Sequence, residues 1–184
     1  MRRSLPFFAA LSLLALLVGC GGSGGGQSPP DQAFLQSMVP HHSSAVEMAK
    51  VARVEGESDF VKGLAEDIGS SQEREIAQMK RIHERLYGAP LKPDMGGHMA
   101  LGLSAEEAGM NHMDGAMMIR DKKPFDSAFV DEMVPHHQGA TKMAEAVIAK
   151  GRDPEVRKLA EEIIAAQKRE IGEMEEFRST LASS

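Results

Sequence analysis

Residues 31 to 86 match residues 126 to 181 at a constant offset of 95, with no insertion. Identical pairs include Phe34 and Phe129, Ala45 and Ala140, Gly56 and Gly151, Leu64 and Leu159, and Ile68 and Ile163. An internal duplication of this kind means that two similar units must pack together, so the pattern within one copy largely decides the fold. Each copy reads as a helical hairpin. Asp31 is a good N-cap for a first helix reaching about Val54, where Gly56 stops it, and a second helix runs from about Ser58 to Tyr87, ahead of Gly88 and Pro90. The plan repeats from Asp126 to Lys150 and from Asp153 to about Leu181, with Pro154 at a first helical position. Two hairpins with short turns imply an all-α, antiparallel four-helix bundle.

Composition agrees. There is no Trp, one Tyr and seven Phe, but 13 Met, so the core is filled by Leu, Ile, Ala and Met, which favours helices over a sheet sandwich. At 184 residues and 42% hydrophobic, the chain suits one domain or two halves sharing a core. The expected organisation is a signal peptide at 1–19, a lipidated Cys20 and flexible tether over 20–30, a first hairpin at 31–87, a connector at 88–125 and a second hairpin at 126–184.

The N-terminal expectation rests on Arg2 and Arg3 as a basic segment, an apolar run from Leu5 to Val18, and Leu17-Val18-Gly19-Cys20, which resembles the lipobox of bacterial lipoproteins. The run is short for a transmembrane span. Gly21 to Pro30 is rich in Gly, Ser and Pro and reads as a tether. An extracytoplasmic protein held to a bacterial membrane by lipid follows, in the periplasm or on the outer face of the cell membrane. Loss of Arg2 and Arg3 leaves 19 basic residues against 27 acids, a balance that does not seek nucleic acid. Cys20 is the only cysteine, so the fold has neither a disulfide nor a thiolate metal site.

The segment that both copies share most closely is Met-Val-Pro-His-His: Met38 to His42, and Met133 to His137. Pro40 and Pro135 should kink their helices and leave carbonyls near Gln36 and Ser37 partly free in the first copy. Phe34, His41, Ala45, Met48 and Ala52 share one helical stripe. Adjacent His41 and His42 diverge by about 100 degrees, which places one toward the core and the other at its margin. On the second helix Leu64, Ile68, Met79, Ile82 and Leu86 form an apolar stripe with Glu75 at its middle beside Gln72; Leu159, Ile163, Met174, Phe177 and Leu181 surround Glu170 and Gln167 likewise. A carboxylate on a buried face needs a partner, and the histidines are the obvious ones.

Two readings follow. In one, each Glu merely clips a His and fixes bundle register, giving a non-metal structural or interaction module of the envelope. In the other, His41, His42, His136 and His137 are metal ligands, Met38, Met48, Met133 and Met143 are their thioether companions, and Glu75, Glu170, Gln72, Gln167, Met79 and Met174 are further ligands or orient them. Imidazole and thioether without thiolate suit copper, Cu(I) more than Cu(II), and silver. Doubled His-His and Glu positions favour the metal. Sequestration or transfer to a protein partner is the expected role.

The connector adds a flexible segment with Met95, His98 and Met99, and a capping box, Ser104 to Glu107, opening a short helix that carries Met110, His112, Met113, Met117 and Met118. Positions 110, 113 and 117 share a face that packs on the bundle. His98, Met95, Met99, His112 and Met113 are accessory metal candidates. No Glu-x-x-His or His-Glu-x-x-His occurs, and there is no Gly-x-Ser-x-Gly nucleophile elbow or phosphate-binding Gly loop, so an enzyme is not expected; a copper redox enzyme would need an open coordination position and a substrate pocket.

Asp31, Phe34, Met38 to His42, Ala45 and Met48, followed by Gln72, Glu75, Ile76 and Met79, resemble the domain of unknown function 305 family of bacterial secreted and membrane-associated proteins. The second copy, through His136-His137-Gln138-Gly139-Ala140 to Met174, is closer still, and two tandem copies span most of the mature chain. The resemblance implies a ferritin-like bundle and extracytoplasmic copper-binding relatives involved in copper tolerance, without a known reaction. Ser43-Ser44 replaces Gln138-Gly139 in the first copy, which predicts sites of different polarity or affinity. The aromatic position three residues after the second-helix Met is Ile82 in one copy and Phe177 in the other, a difference expected to affect packing.

Overall fold

The computed structural model describes residues 29–181. The expected signal peptide, the expected lipidation of Cys20 and all of the expected tether but Pro29 and Pro30 lie outside the described residues. Among the described residues there are five α-helices: α1 (Pro30–Glu55), α2 (Asp59–Tyr87), α3 (Gly115–Ile119), α4 (Phe125–Lys150) and α5 (Pro154–Leu181). Single 3-10 turns at Gly97–Met99 and Met110–His112 punctuate the connector between α2 and α4. There is no strand among the described residues, and no helix long and apolar enough to cross a membrane.

The four long helices form a bundle with two hydrophobic clusters, one toward each end. The first joins Phe34, Leu35 and Met38 of α1, Met79 and Ile82 of α2, Met143 and Val147 of α4, and Leu159 and Ile163 of α5. The second joins Met48 and Ala52 of α1, Leu64 and Ile68 of α2, Phe129 and Met133 of α4, and Met174 of α5. The start of α1 therefore meets the end of α4, so these two helices run antiparallel. Between the clusters lies the stretch that each copy fills with His, Gln and Glu.

Hairpin turns form as the sequence predicts, with Ser58 capping α2 by accepting from the Val61 N–H at 3.2 Å and Gly88 ending it at φ 62°. Asp31, however, is not an N-cap. Helix α1 begins at Pro30 with Pro29 before it, and no side chain among the described residues caps it. The Asp31 carboxylate instead reaches the other hairpin and accepts from the Arg152 N–H at 2.9 Å, with Asp153 N–H at 3.4 Å. Asp126 returns the contact, accepting from the Glu57 and Ser58 N–H groups at 2.7 and 2.9 Å. Both carboxylates are buried, and each holds the turn between the helices of the opposite copy. Asp126→Ala should therefore cost about 2 kcal/mol, the upper range for a cap that also bonds as a charged acceptor. Urea unfolding would register this as a lower midpoint with an unchanged slope.

Pro40 and Pro135 sit inside uninterrupted helices. Pro40 has no N–H for the Gln36 carbonyl, and the Asp94 N–H of the connector bonds that carbonyl instead at 2.9 Å. The freed acceptor thus docks the connector. Nor is the segment around His98 loose: His98 is buried, its ring Nδ1–H donates to the Met95 carbonyl, and Gly97 packs so closely on Ala33 and Ser37 that a Cβ there would meet the Ala33 carbonyl. The Ser104–Glu107 box forms both of its bonds, but it closes a turn; the short helix starts only at Gly115. Met110 and Met113 are partly buried while Met117 is 78% exposed, so the three do not share a packed face.

Candidate metal centre

All four histidines of the repeated motif are fully buried. The expectation that one of each pair would sit at the core margin is corrected, because the bundle offers a buried neighbour on both sides of the helix. The second histidine of each pair turns toward its own hairpin. His42 Nε2–H donates to Glu75 Oε2 at 2.7 Å and His137 Nε2–H donates to Glu170 Oε2 at 2.8 Å. The first histidine of each pair turns toward the other copy: the rings of His41 and His136 face one another, with centroids 3.8 Å apart and planes inclined at 39°.

Two close, tilted imidazoles without a hydrogen-bond partner among the described residues are an unusual core. Among the described residues neither nitrogen of His41 or His136 finds a hydrogen-bond partner, and the same holds for Nδ1 of His42 and His137 and for both ends of the Gln72 and Gln167 amides. Ten buried polar atoms in one layer are thus without protein partners. Each such atom costs about 1–3 kcal/mol relative to a satisfied one, so a core selected for stability alone would not retain the set.

Burial lowers the pKa of His41 well below its usual value, and charge on His42, His137 and His112 pushes the same way; the Ala108 carbonyl nearby pulls in the opposite direction without reaching hydrogen-bond geometry. For His136 burial again comes first, followed by charge on His41, His137, His42 and His112. Both rings are held neutral, the form that binds metal. Below pH 6.5 the unfolded chain takes up protons at these rings that the folded chain refuses. Stability should therefore fall as pH drops, by about 1.4 kcal/mol per pH unit for each ring, and be insensitive to them above that range. Urea midpoints at pH 7.5 and 5.5 would show the loss.

Thioethers flank the layer on both sides, all fully buried: Met38, Met79 and Met143 in one cluster, Met48, Met133 and Met174 in the other. Among the described residues no three His, Cys, Asp or Glu side chains converge as a ready-made metal cage. The groups this layer presents are ring nitrogens without protein partners and thioether sulfurs in the flanking clusters. Because Nε2–H of His42 and His137 is donated to Glu75 and Glu170, Nδ1 is the nitrogen each ring leaves without a protein partner.

The connector closes this layer from outside. A Cβ on Gly109 would stand 3.2 Å from His41 Nε2, and one on Gly139 would fall 2.4 Å from the Gly109 nitrogen, so only glycine at 139 admits the strap. Its counterpart Ser44 instead donates to the Met113 carbonyl at 2.8 Å. The Ser43-Ser44 and Gln138-Gly139 difference thus includes two ways of seating one connector. Ile82 is buried in the first cluster, whereas Phe177 stacks on Phe60 with centroids 4.5 Å apart.

Met95 and Met99 are exposed, and His98 is occupied by its own turn. His112 Nδ1–H donates to Glu132 Oε1 at 2.8 Å, a pairing that sequence reasoning missed. The available signal was that Glu132 and Ser37 differ immediately before the shared methionine.

A family model described as "Domain of unknown function (DUF305)" matches residues 31–178 in a single span. This chain belongs to the DUF305 family. Among solved structures, this DUF305 protein is similar to CopM in its Cu(I)-bound form, at 31% identity over 82% of this chain and 96% of that one, with a TM-score of 0.66. CopM has also been solved with Ag bound, at 32% identity over 84% and 98% of the two chains and a TM-score of 0.66. A DUF305 fragment from Deinococcus radiodurans matches at 27% identity over 82% and 96%, with a TM-score of 0.65. Uncharacterized protein L153 of Acanthamoeba polyphaga mimivirus is 37% identical over 49 residues, 27% of this chain and 32% of that protein. The chain thus matches about a third of the length of that curated relative.

Proposed function

We propose that this DUF305 protein is an extracytoplasmic, lipid-anchored carrier of copper that holds Cu(I), or Ag(I) in its place, in the histidine layer at mid-bundle. One observation carries this reading: ten buried polar atoms without protein partners lie in one layer, including every ring nitrogen of the facing His41 and His136. Its relative CopM, solved with Cu(I), Cu(II) and Ag, supports the choice of metal. His41, His42, His136 and His137 are the nitrogen ligands, and Met38, Met48, Met133 and Met143 the companion sulfurs. Glu75 and Glu170 orient His42 and His137, while Gln72, Gln167, Met79 and Met174 complete the surrounding shell. Neutral imidazole and thioether favour the monovalent ion. Sequestration and hand-over to a protein partner follow, with Cys20 as the lipidated anchor.

The purely structural reading accounts for His42 and His137, which are clipped to glutamates, but leaves His41 and His136 unexplained. A ligand that binds only the native state raises its stability, by about 4 kcal/mol at a thousandfold excess over Kd. Thermal unfolding of the full chain with and without Ag(I) is the test. A clear rise in Tm is expected, and an unchanged Tm would remove the proposal.

A further inference from the structure

The two ends of the connector cover equivalent places on the bundle, yet only one is equipped to hold a cation. Gly97 lies on Ser37, whose hydroxyl is 3.8 Å from Met143 Sδ. Gly115 lies on the counterparts of those residues, Glu132 and Met48, so closely that its missing Cβ would overlap Met48 Sδ. Where the first place has a serine, the second has a carboxylate, and His112 is bonded to it.

This third His–Glu pair differs from the buried two in both respects that matter for access. The His112 side chain is 29% exposed and that of Glu132 20% exposed, against 0% for His42 and His137. Here the carboxylate accepts from Nδ1, which leaves Nε2 as the ring nitrogen not engaged by Glu132. Exposed thioethers follow a few residues on in α3, with Met117 at 78% and Met118 at 58% exposure. One 3-10 turn, Met110–His112, joins this pair to Gly109, which covers His41 Nε2; at about 2 Å per residue that is a backbone span of roughly 6 Å.

We propose that the His112–Glu132 pair is an uptake site at which a soft monovalent metal ion first binds before passing inward, past Met48, to the His41–His136 layer. The proposal rests on the reading that the layer holds metal. It adds the route and assigns Glu132, through orientation of His112, a part in the rate of loading. The negative carboxylate also draws a cation to the one histidine of the strap that retains both exposure and a free nitrogen.

The full chain is mixed with Cu(I) held by a coloured chelator, and decay of the colour gives both the rate of transfer and its endpoint. His112→Ala and Glu132→Gln should each slow transfer at least roughly tenfold, while the endpoint stays that of the native protein because the inner layer is intact. Glu132→Gln keeps size and shape, so it guards against misfolding of the alanine variant. Native-like rates in both variants would overturn the uptake site. A fall in endpoint matching the fall in rate would also overturn it, by making His112 part of the holding centre. A native protein that draws no Cu(I) from the chelator overturns the histidine-layer reading and this proposal with it.

Discussion

Replacing His41 and His136 together by leucine should make the metal-free protein more stable and abolish its response to Ag(I). In the native protein the two rings bury four nitrogens that have no hydrogen-bond partner among the described residues. Leucine has nearly the volume of histidine and no polar atom, so the change removes the desolvation cost while keeping the layer filled. A gain of about 1–3 kcal/mol is expected, discounted from the sum of the separate groups because the new side chains must repack. The same variant should show no Ag(I)-dependent rise in Tm. It should also lose the decline in stability below pH 6.5, which arises from these two rings. A protein that becomes more stable as it loses its ligand is the signature of a site maintained for function. A destabilised variant that still responds to Ag(I) would place the binding elsewhere.

Removing the glutamates should have unequal effects on folding and similar effects on metal. Glu170 and Glu75 occupy equivalent positions with equivalent bonds, at 2.8 and 2.7 Å. Their side chains differ in exposure, 6% for Glu170 and 16% for Glu75. Glu170→Leu strands the His137 Nε2–H in a closed environment and should cost about 3 kcal/mol, at the upper end for an orphaned buried donor. Glu75→Leu leaves His42 nearer to water and should cost about 1 kcal/mol. Both should weaken metal binding by roughly 10- to 100-fold, since each fixes the aim of a ring proposed as a ligand. Urea unfolding and Cu(I) competition on the same two variants separate the effects. Equal stability losses would mean that exposure does not govern the pairs.

The all-helical fold was legible because the duplication, the Gly and Pro punctuation and the stripes of Leu, Ile and Met agreed. Glu75 and Glu170 could be placed on buried faces, and so paired with histidine, from spacing alone. Which histidine they bond could not be read there: adjacent positions diverge on a helix, and in a bundle both directions are buried, one toward the partner helix and one toward the other copy. Asp31 illustrates a second limit. Its type and position suit an N-cap, yet the nearest bare N–H groups lie in the turn of the opposite hairpin, and only packing reveals that proximity. Pro40 illustrates a third, since the carbonyl it frees was predictable but not that the connector would use it. Glu132 escaped notice because it stands outside the repeated positions, where copies differ rather than agree.

The facing imidazoles offer the most direct measurement. Histidine side-chain nitrogen resonances of the isotope-labelled protein, followed as Ag(I) is added, report on each ring individually. Binding in the layer predicts that a ring nitrogen of His41 and one of His136 shift together and become coupled to the silver nucleus, in step with the bound Ag(I). Ring nitrogens of His41 and His136 that stay in place while the protein takes up silver would contradict the account.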